Sequence, residues 1–156
     1  VLLGLLTYST HSILNHKMRE EGNLVYNVSA SINSNELFGS FYFILNTQPH
    51  NIQKSLDIIK EELLKISSGS IEDGDIERTK KIIQAREVFA NQQIHAEAFK
   101  EADIEISFKT IKNSEDWMNS MMRVSKDEIA ETAEWLHNNL NILAVCSNEE
   151  GVTYGC

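Results

Sequence analysis

This sequence has almost no cysteine or proline, no basic run, and no apolar stretch long enough for a membrane. Its 156 residues hold two cysteines, Cys146 and Cys156. That is too few for a disulfide framework, and the two are not spaced as a metal knuckle, so the chain suits a reducing compartment. With 14 Lys and Arg against 23 Asp and Glu, the formal net charge is −9. A nucleic-acid backbone or an anionic membrane surface needs basic residues to replace counterions, so neither is expected as a partner. The apolar opening VLLGLL ends at Thr7, Tyr8, Ser9 and Thr10, far short of the roughly 20 residues that cross a bilayer. A soluble protein is expected, cytoplasmic by preference. Glycine-rich phosphate loops, a G-x-S-x-G elbow and the H-E-x-x-H and H-x-x-E-H zinc motifs are all missing, which leaves nucleotide cradles, triad catalysis and a resident zinc without a sequence basis. Of the five histidines, His11, His16, His50, His95 and His137, the first two lie about 140° apart on a helix, and all five read as ordinary surface or half-buried residues.

What is present is hydrophobic patterning. Leu2, Leu3, Leu5, Leu6, Ile13, Leu14 and Met18 recur at helical spacing, predicting a helix or two helical turns over Val1 to Glu21, broken near Tyr8 and stopped by Gly22-Asn23. From Tyr26 the period becomes two. Tyr26, Val28, Ala30 and Ile32 alternate with polar residues as a half-buried strand to Asn33. After a turn over Asn33 to Glu36, Phe41, Phe43 and Leu45 mark a second strand within Phe38 to Thr47. Pro49, the one proline, suits the first turn of a helix through Ile52, Leu56, Ile59, Leu63 and Ile66, which Ser67-Ser68-Gly69 closes. Further helical spacing runs from Ile76 towards Phe99. Ser125 and Glu128 form a capping box, with Val124 and Ile129 as its staple, opening a helix to Leu136. Leu140 to Val145 reads as a buried strand and the residues from Ser147 as a tail. Trp117 and Trp135 read as packing residues. The predicted fold is α+β: an antiparallel-rich mixed sheet with helices packed on one face.

One stretch resists this description. In MREEGNLVY, residues 18–26, Arg19 ends a helix and Tyr26 opens a strand across a Gly-Asn turn. A fixed guanidinium and a phenol can then lie at one sheet edge and donate hydrogen bonds to peptide carbonyls or to a developing oxyanion. A purely structural reading stands beside it. An arginine in a last helical turn complements the dipole, and alternation puts Tyr26 on the strand face of Val28 and Ala30.

Leu5 to Ala30, LLTYSTHSILNHKMREEGNLVYNVSA, resembles the segment that opens the C-terminal half of pitrilysin-type zinc metallopeptidases. This inverzincin family includes insulysin, mitochondrial processing peptidase and bacterial two-domain members. The spacing of Arg19 and Tyr26 matches the family, as do Ser12, Leu14, Glu20 and Leu24. Leu37-Phe38-Gly39, Gln48-Pro49, the acid-rich start and E-R-x-K of Ile71 to Lys80, and Val124-Ser125 follow in the family's order. Ile13 replaces a usual arginine, and Asn23 stands where the family has glycine. Asn23 is the substitute best able to take a left-handed turn.

The resemblance implies a peptidase C-terminal-half domain over residues 1–146, followed by a tail at 147–156, with part of the domain, including its first strands, missing upstream. It implies that this half binds peptide opposite a zinc-bearing N-terminal domain or partner subunit, with Arg19 holding a substrate carbonyl and Tyr26 stabilising the oxyanion. No metal ligand is carried over to this chain, so zinc is expected only in the complete enzyme and this chain alone is expected to be inert. Two other readings remain open: a non-catalytic assembly module of the same family, and an unrelated α+β binding domain.

Overall fold

A computed structural model describes residues 1–34, 37–91, 102, 105 and 114–141. The expected turn beyond Ser34, the helical pattern beyond Asn91 with His95, the strand ending at Val145, both cysteines and the tail lie outside the described residues.

Helix α1, Leu2–Thr7, buries Leu2, Leu3, Gly4, Leu5 and Leu6. An all-apolar turn has no solvent face to offer and sits inside the domain. The chain then bends, as expected near Tyr8, and the bend is tied by one side chain. Asn15 Nδ2 donates to the carbonyls of Thr7 and Ser9 and to Ser12 Oγ, each at 3.0 Å. Ser12, itself buried, donates to Ser9 O at 2.6 Å. Helix resumes at Ile13 and widens into a π-helical segment, α2, Asn15–Glu21, a feature that residue spacing did not anticipate.

Strands β1, Val25–Ser34, and β2, Gly39–Thr47, pair antiparallel. Val28 opposes Leu45, Ala30 opposes Phe43 and Ile32 opposes Phe41, so the apolar sets of both strands share one face. The Phe41 and Phe43 rings meet edge to face at 5.1 Å, a geometry that the aromatic quadrupole favours. A 3-10 turn, Pro49–Asn51, leads into α3, Ile52–Ser67. Gly69, at φ 77, ends that helix in the left-handed conformation, while its amide donates to Ile66 O at 3.0 Å. Helix α4 spans Asp73–Asn91 with Asp73 and Asp75 in its first turn, where acids complement the helix dipole. Helix α5 spans Ser114–Arg123. In α6, Lys126–Asn138, the capping box forms as expected, with Ser125 and Glu128 bonding reciprocally. Accepting the Ser125 amide and hydroxyl holds the Glu128 carboxyl below its usual range.

One core joins these layers: Leu6, Leu14, Met18, Val25 and Val28 from the first segments, Ile59, Leu63 and Ile66 from α3, and Ile129, Ala133 and Leu136 from α6. Each fully buried aliphatic side chain contributes about 1.5–3 kcal/mol relative to exposure. Helices α1 and α2 lie closest behind β1, and α3 pairs with α6. This is the expected α+β architecture, with helices packed against one face of the sheet. Two expectations about faces need correction. Tyr26 does not share the buried face of Val28, for a reason given below. Trp117 and Trp135 are 43% and 59% exposed. Trp135 falls outside the Ile129, Ala133 and Leu136 stripe that α6 turns inward.

Candidate functional site

Met18 is fully buried in α2, and its neighbour Arg19 is exposed. The π-helix therefore anchors on Met18 and turns Arg19 towards solvent. π-helical turns are rare and recur at functional sites. The segment closes through Leu24 N–H, which donates to Met18 O at 2.8 Å. The two turn residues make different contributions. Asn23 has φ 48, the left-handed conformation that asparagine tolerates best after glycine. Gly22 has an ordinary helical φ of −87. What it supplies is space: a Cβ there would lie 2.8 Å from Lys17 O and 3.0 Å from Leu24 Cγ.

The chain enters β1 under restraint. The Leu24 carbonyl accepts from Thr47 Oγ1 at 2.6 Å and from Asn51 Nδ2 at 3.3 Å, tying the strand entry to the end of β2 and to the turn before α3. In the ladder Val25 opposes Thr47 and Asn27 opposes Asn46, which leaves Tyr26 as the extra residue of a β-bulge. Bulges re-aim side chains and occur beside active sites. Here the bulge lets Val25 and Val28, three residues apart and 6% and 2% exposed, both face the core, while Tyr26 is 85% exposed. Strict alternation would have buried it.

Arg19 and Tyr26 line one open groove of about 570 Å³, with Asn23, Leu24, Val25, Asn46, Thr47, Gln48 and Asn51. Neither the Arg19 nor the Tyr26 side chain makes a hydrogen bond or ion pair among the described residues. The acids next to Arg19 are engaged elsewhere: His16 Nδ1 lies 2.9 Å from Glu20 and Nε2 lies 3.3 Å from Glu21. The hydrogen bond between them lowers the Glu20 carboxyl and raises the His16 imidazole relative to their ordinary values. The guanidinium therefore faces the groove without a carboxylate clamped to it. Sequence reasoning singled out Arg19 and Tyr26, and the fold puts both on this groove. It missed the walls supplied by Asn46, Thr47 and Asn51, for which spacing gives no signal.

A second, smaller depression, about 270 Å³, is lined in part by Lys17, Gly22, Lys54, Glu61 and Glu62. Its charges are largely paired. Glu62, whose side chain is 8% exposed, accepts from Lys17 at 2.5 Å and from Lys65 at 2.9 Å, and Lys65 also bonds Glu61. This network fastens α2 to α3 and so fixes the helix that carries Arg19. Among the described residues no group of three His, Cys, Asp or Glu side chains converges to hold a metal ion. A zinc ion thus has no fitting donor set in this part of the chain. No helix among the described residues is long and apolar enough to cross a membrane.

Comparison with known proteins follows the same line. The fold matches a conserved protein from Enterococcus faecalis V583 at TM-score 0.70 and 27% identity, over 85% of this chain and 31% of that one. It also matches a protease from Helicobacter pylori at TM-score 0.70, over 86% of this chain and 32% of that one, where 18% identity supports likeness of fold alone. The chain thus spans about a third of each of these structures. No curated protein sequence matches it. The family model described as the Peptidase M16 inactive domain matches residues 1–83 of the 156, more than half of the sequence and the whole of the groove, and the chain belongs to that family.

Proposed function

We propose that this domain is the non-metal half of a zinc-dependent peptidase of the pitrilysin type. In this reading it encloses and binds peptide opposite an N-terminal domain or partner subunit that carries the zinc. The observation behind the proposal is the groove. An exposed tyrosine held on a bulge and an unpaired arginine held on a π-helix line the same open surface, and neither side chain is buried against the core. Arg19 keeps its charge and offers several donors in a fixed fork, suited to holding a substrate carbonyl. Tyr26 presents one rigid O–H donor, suited to an oxygen that gains negative charge as the carbonyl is attacked.

The test is steady-state kinetics of the complete enzyme on a quenched peptide. Tyr26→Phe removes one exposed hydroxyl and leaves the fold intact. It lowers kcat far more than it raises KM, by on the order of 2–4 kcal/mol in the transition state. Arg19→Ala damages both parameters, because a carbonyl clamp acts in the ground state as well. Wild-type kcat in Tyr26→Phe would sink the catalytic role. The family's description as an inactive domain also fits a non-catalytic assembly module, and that second reading is favoured if the complete protein carries no H-x-x-E-H motif in this chain or a companion.

A further inference from the structure

We propose that Asn46 and Gln48 read the main chain of an extended peptide in this groove, so that selection there does not depend on the peptide's side chains. The inference rests on the peptide-binding reading above and adds the residues that set specificity. The groove's lining is rich in amides: Asn23, Asn46, Gln48 and Asn51. Asn51 is occupied by the Leu24 carbonyl, whereas the side chains of Asn46 and Gln48 are exposed and make no hydrogen bond among the described residues. A primary amide both donates and accepts, which matches the N–H and C=O that every peptide unit presents.

Spacing adds a second argument. Asn46 lies in β2, and Gln48, at φ −76 and ψ 146, continues that extended backbone beyond the strand's last residue. Two residues of extended chain advance about 6.6–6.8 Å, the repeat at which another extended peptide presents equivalent main-chain groups. Apart from Arg19 and Tyr26, whose roles toward the carbonyl and the oxyanion are proposed above, the lining lacks what a side-chain subsite would use. Its apolar members, Leu24 and Val25, are both 6% exposed and belong to the core, so no apolar pocket opens here. It contains no carboxylate to select a basic residue.

The experiment uses the complete protein with Asn46→Ala, Gln48→Ala and the double variant. The substrates are a quenched-peptide series with Ala, Leu, Lys or Glu at one position, plus a matching peptide with one amide replaced by an ester. In the double variant KM rises roughly tenfold, by the same factor across the series, and kcat falls by less than twofold. On the ester peptide, where an N–H has been removed, wild type and double variant differ by much less. An unchanged KM would overturn the proposal, as would a rise confined to one side chain. Anisotropy of the fluorescein-labelled peptide repeats the comparison without turnover. Loss of binding in the double variant beside wild-type kcat in Tyr26→Phe would sink the catalytic reading and leave this one standing. A normal kcat drop in Tyr26→Phe with unchanged binding in the double variant would do the reverse.

Discussion

Gly22 and Gly74 should respond to alanine with opposite signs. Both have helical or ordinary backbone, so alanine at an open position would gain about 0.4–1 kcal/mol by restricting the unfolded chain. Nothing lies within 4 Å of a Cβ at Gly74, and Gly74→Ala in the first turn of α4 should realise that gain. At Gly22 the new Cβ would meet Lys17 O at 2.8 Å, and that oxygen is backbone of the π-helix with no rotamer to yield. Overpacking of this kind costs about 1–3 kcal/mol. Subtracting the chain-entropy gain leaves a net loss of roughly 0.5–2 kcal/mol. The loss should be local. The Leu24 amide, which closes the segment on Met18 O, should exchange its hydrogen roughly 2- to 30-fold faster, the factor that such a loss gives if opening is confined to the turn. Native-state hydrogen exchange on the complete protein reads this site directly, with chemical denaturation as the global check. Unchanged Leu24 protection in Gly22→Ala would show that the turn has room the geometry denies, and the argument for Gly22 would fail.

Other perturbations test neighbouring parts of the same framework. At Asn23, φ 48 predicts that glycine is nearly neutral while valine costs roughly 1–2 kcal/mol, measurable by thermal denaturation. Glu62→Gln removes the carboxylate shared by Lys17 and Lys65. The two lysine side chains are 35% and 44% exposed and can rehydrate, so the loss should be about 1–2 kcal/mol, again by denaturation. His16 has a raised pKa in the folded protein, chiefly through its hydrogen bond to Glu20. The stability it contributes is full below the unfolded value near 6.5 and is lost as pH rises through the raised folded value. An NMR titration of the imidazole should show its midpoint fall in Glu20→Gln, and an unmoved midpoint would refute the pairing.

Periodicity made the outline of this fold legible, and local chemistry made its ends legible. The facing sets Val28, Ala30 and Ile32 against Leu45, Phe43 and Phe41 could be read from alternation because one face of the hairpin is apolar and partly buried. The Ser125 and Glu128 box could be read because capping needs only four residues in a row. Asn23 could be placed because few residues accept its φ. The face of Tyr26 could not. A bulge is one extra residue, decided by which of Val25 and Val28 the core demands, and here it demands both. The π-helix was equally hidden, since its end is closed by Leu24 N–H on Met18 O and by the room that Gly22 leaves, neither of which is a periodic signal. Gln48 was visible beside its proline, but its position in a groove with Arg19 depends on tertiary ties from Thr47 and Asn51 to Leu24.

Three departures from regular backbone fall within twelve residues: the π-helix over Asn15–Glu21, the left-handed Asn23 and the bulge at Tyr26. The regular alternatives exchange one contact for another, since an unbroken strand would bury Tyr26 beside Val28 but turn Val25 out of the core, and a residue in the ordinary region at 23 would avoid the left-handed backbone. Departures of this kind persist only where the surroundings over-determine them. The surroundings here do so, through Gly22 against Lys17, Thr47 and Asn51 on Leu24, and Glu62 on Lys17. What the three departures share is their result, because together they turn Arg19 and Tyr26 onto one open groove. On the peptide-binding reading proposed above, the same irregular backbone that packs Val25 and Val28 into the core also presents Arg19 and Tyr26 to substrate.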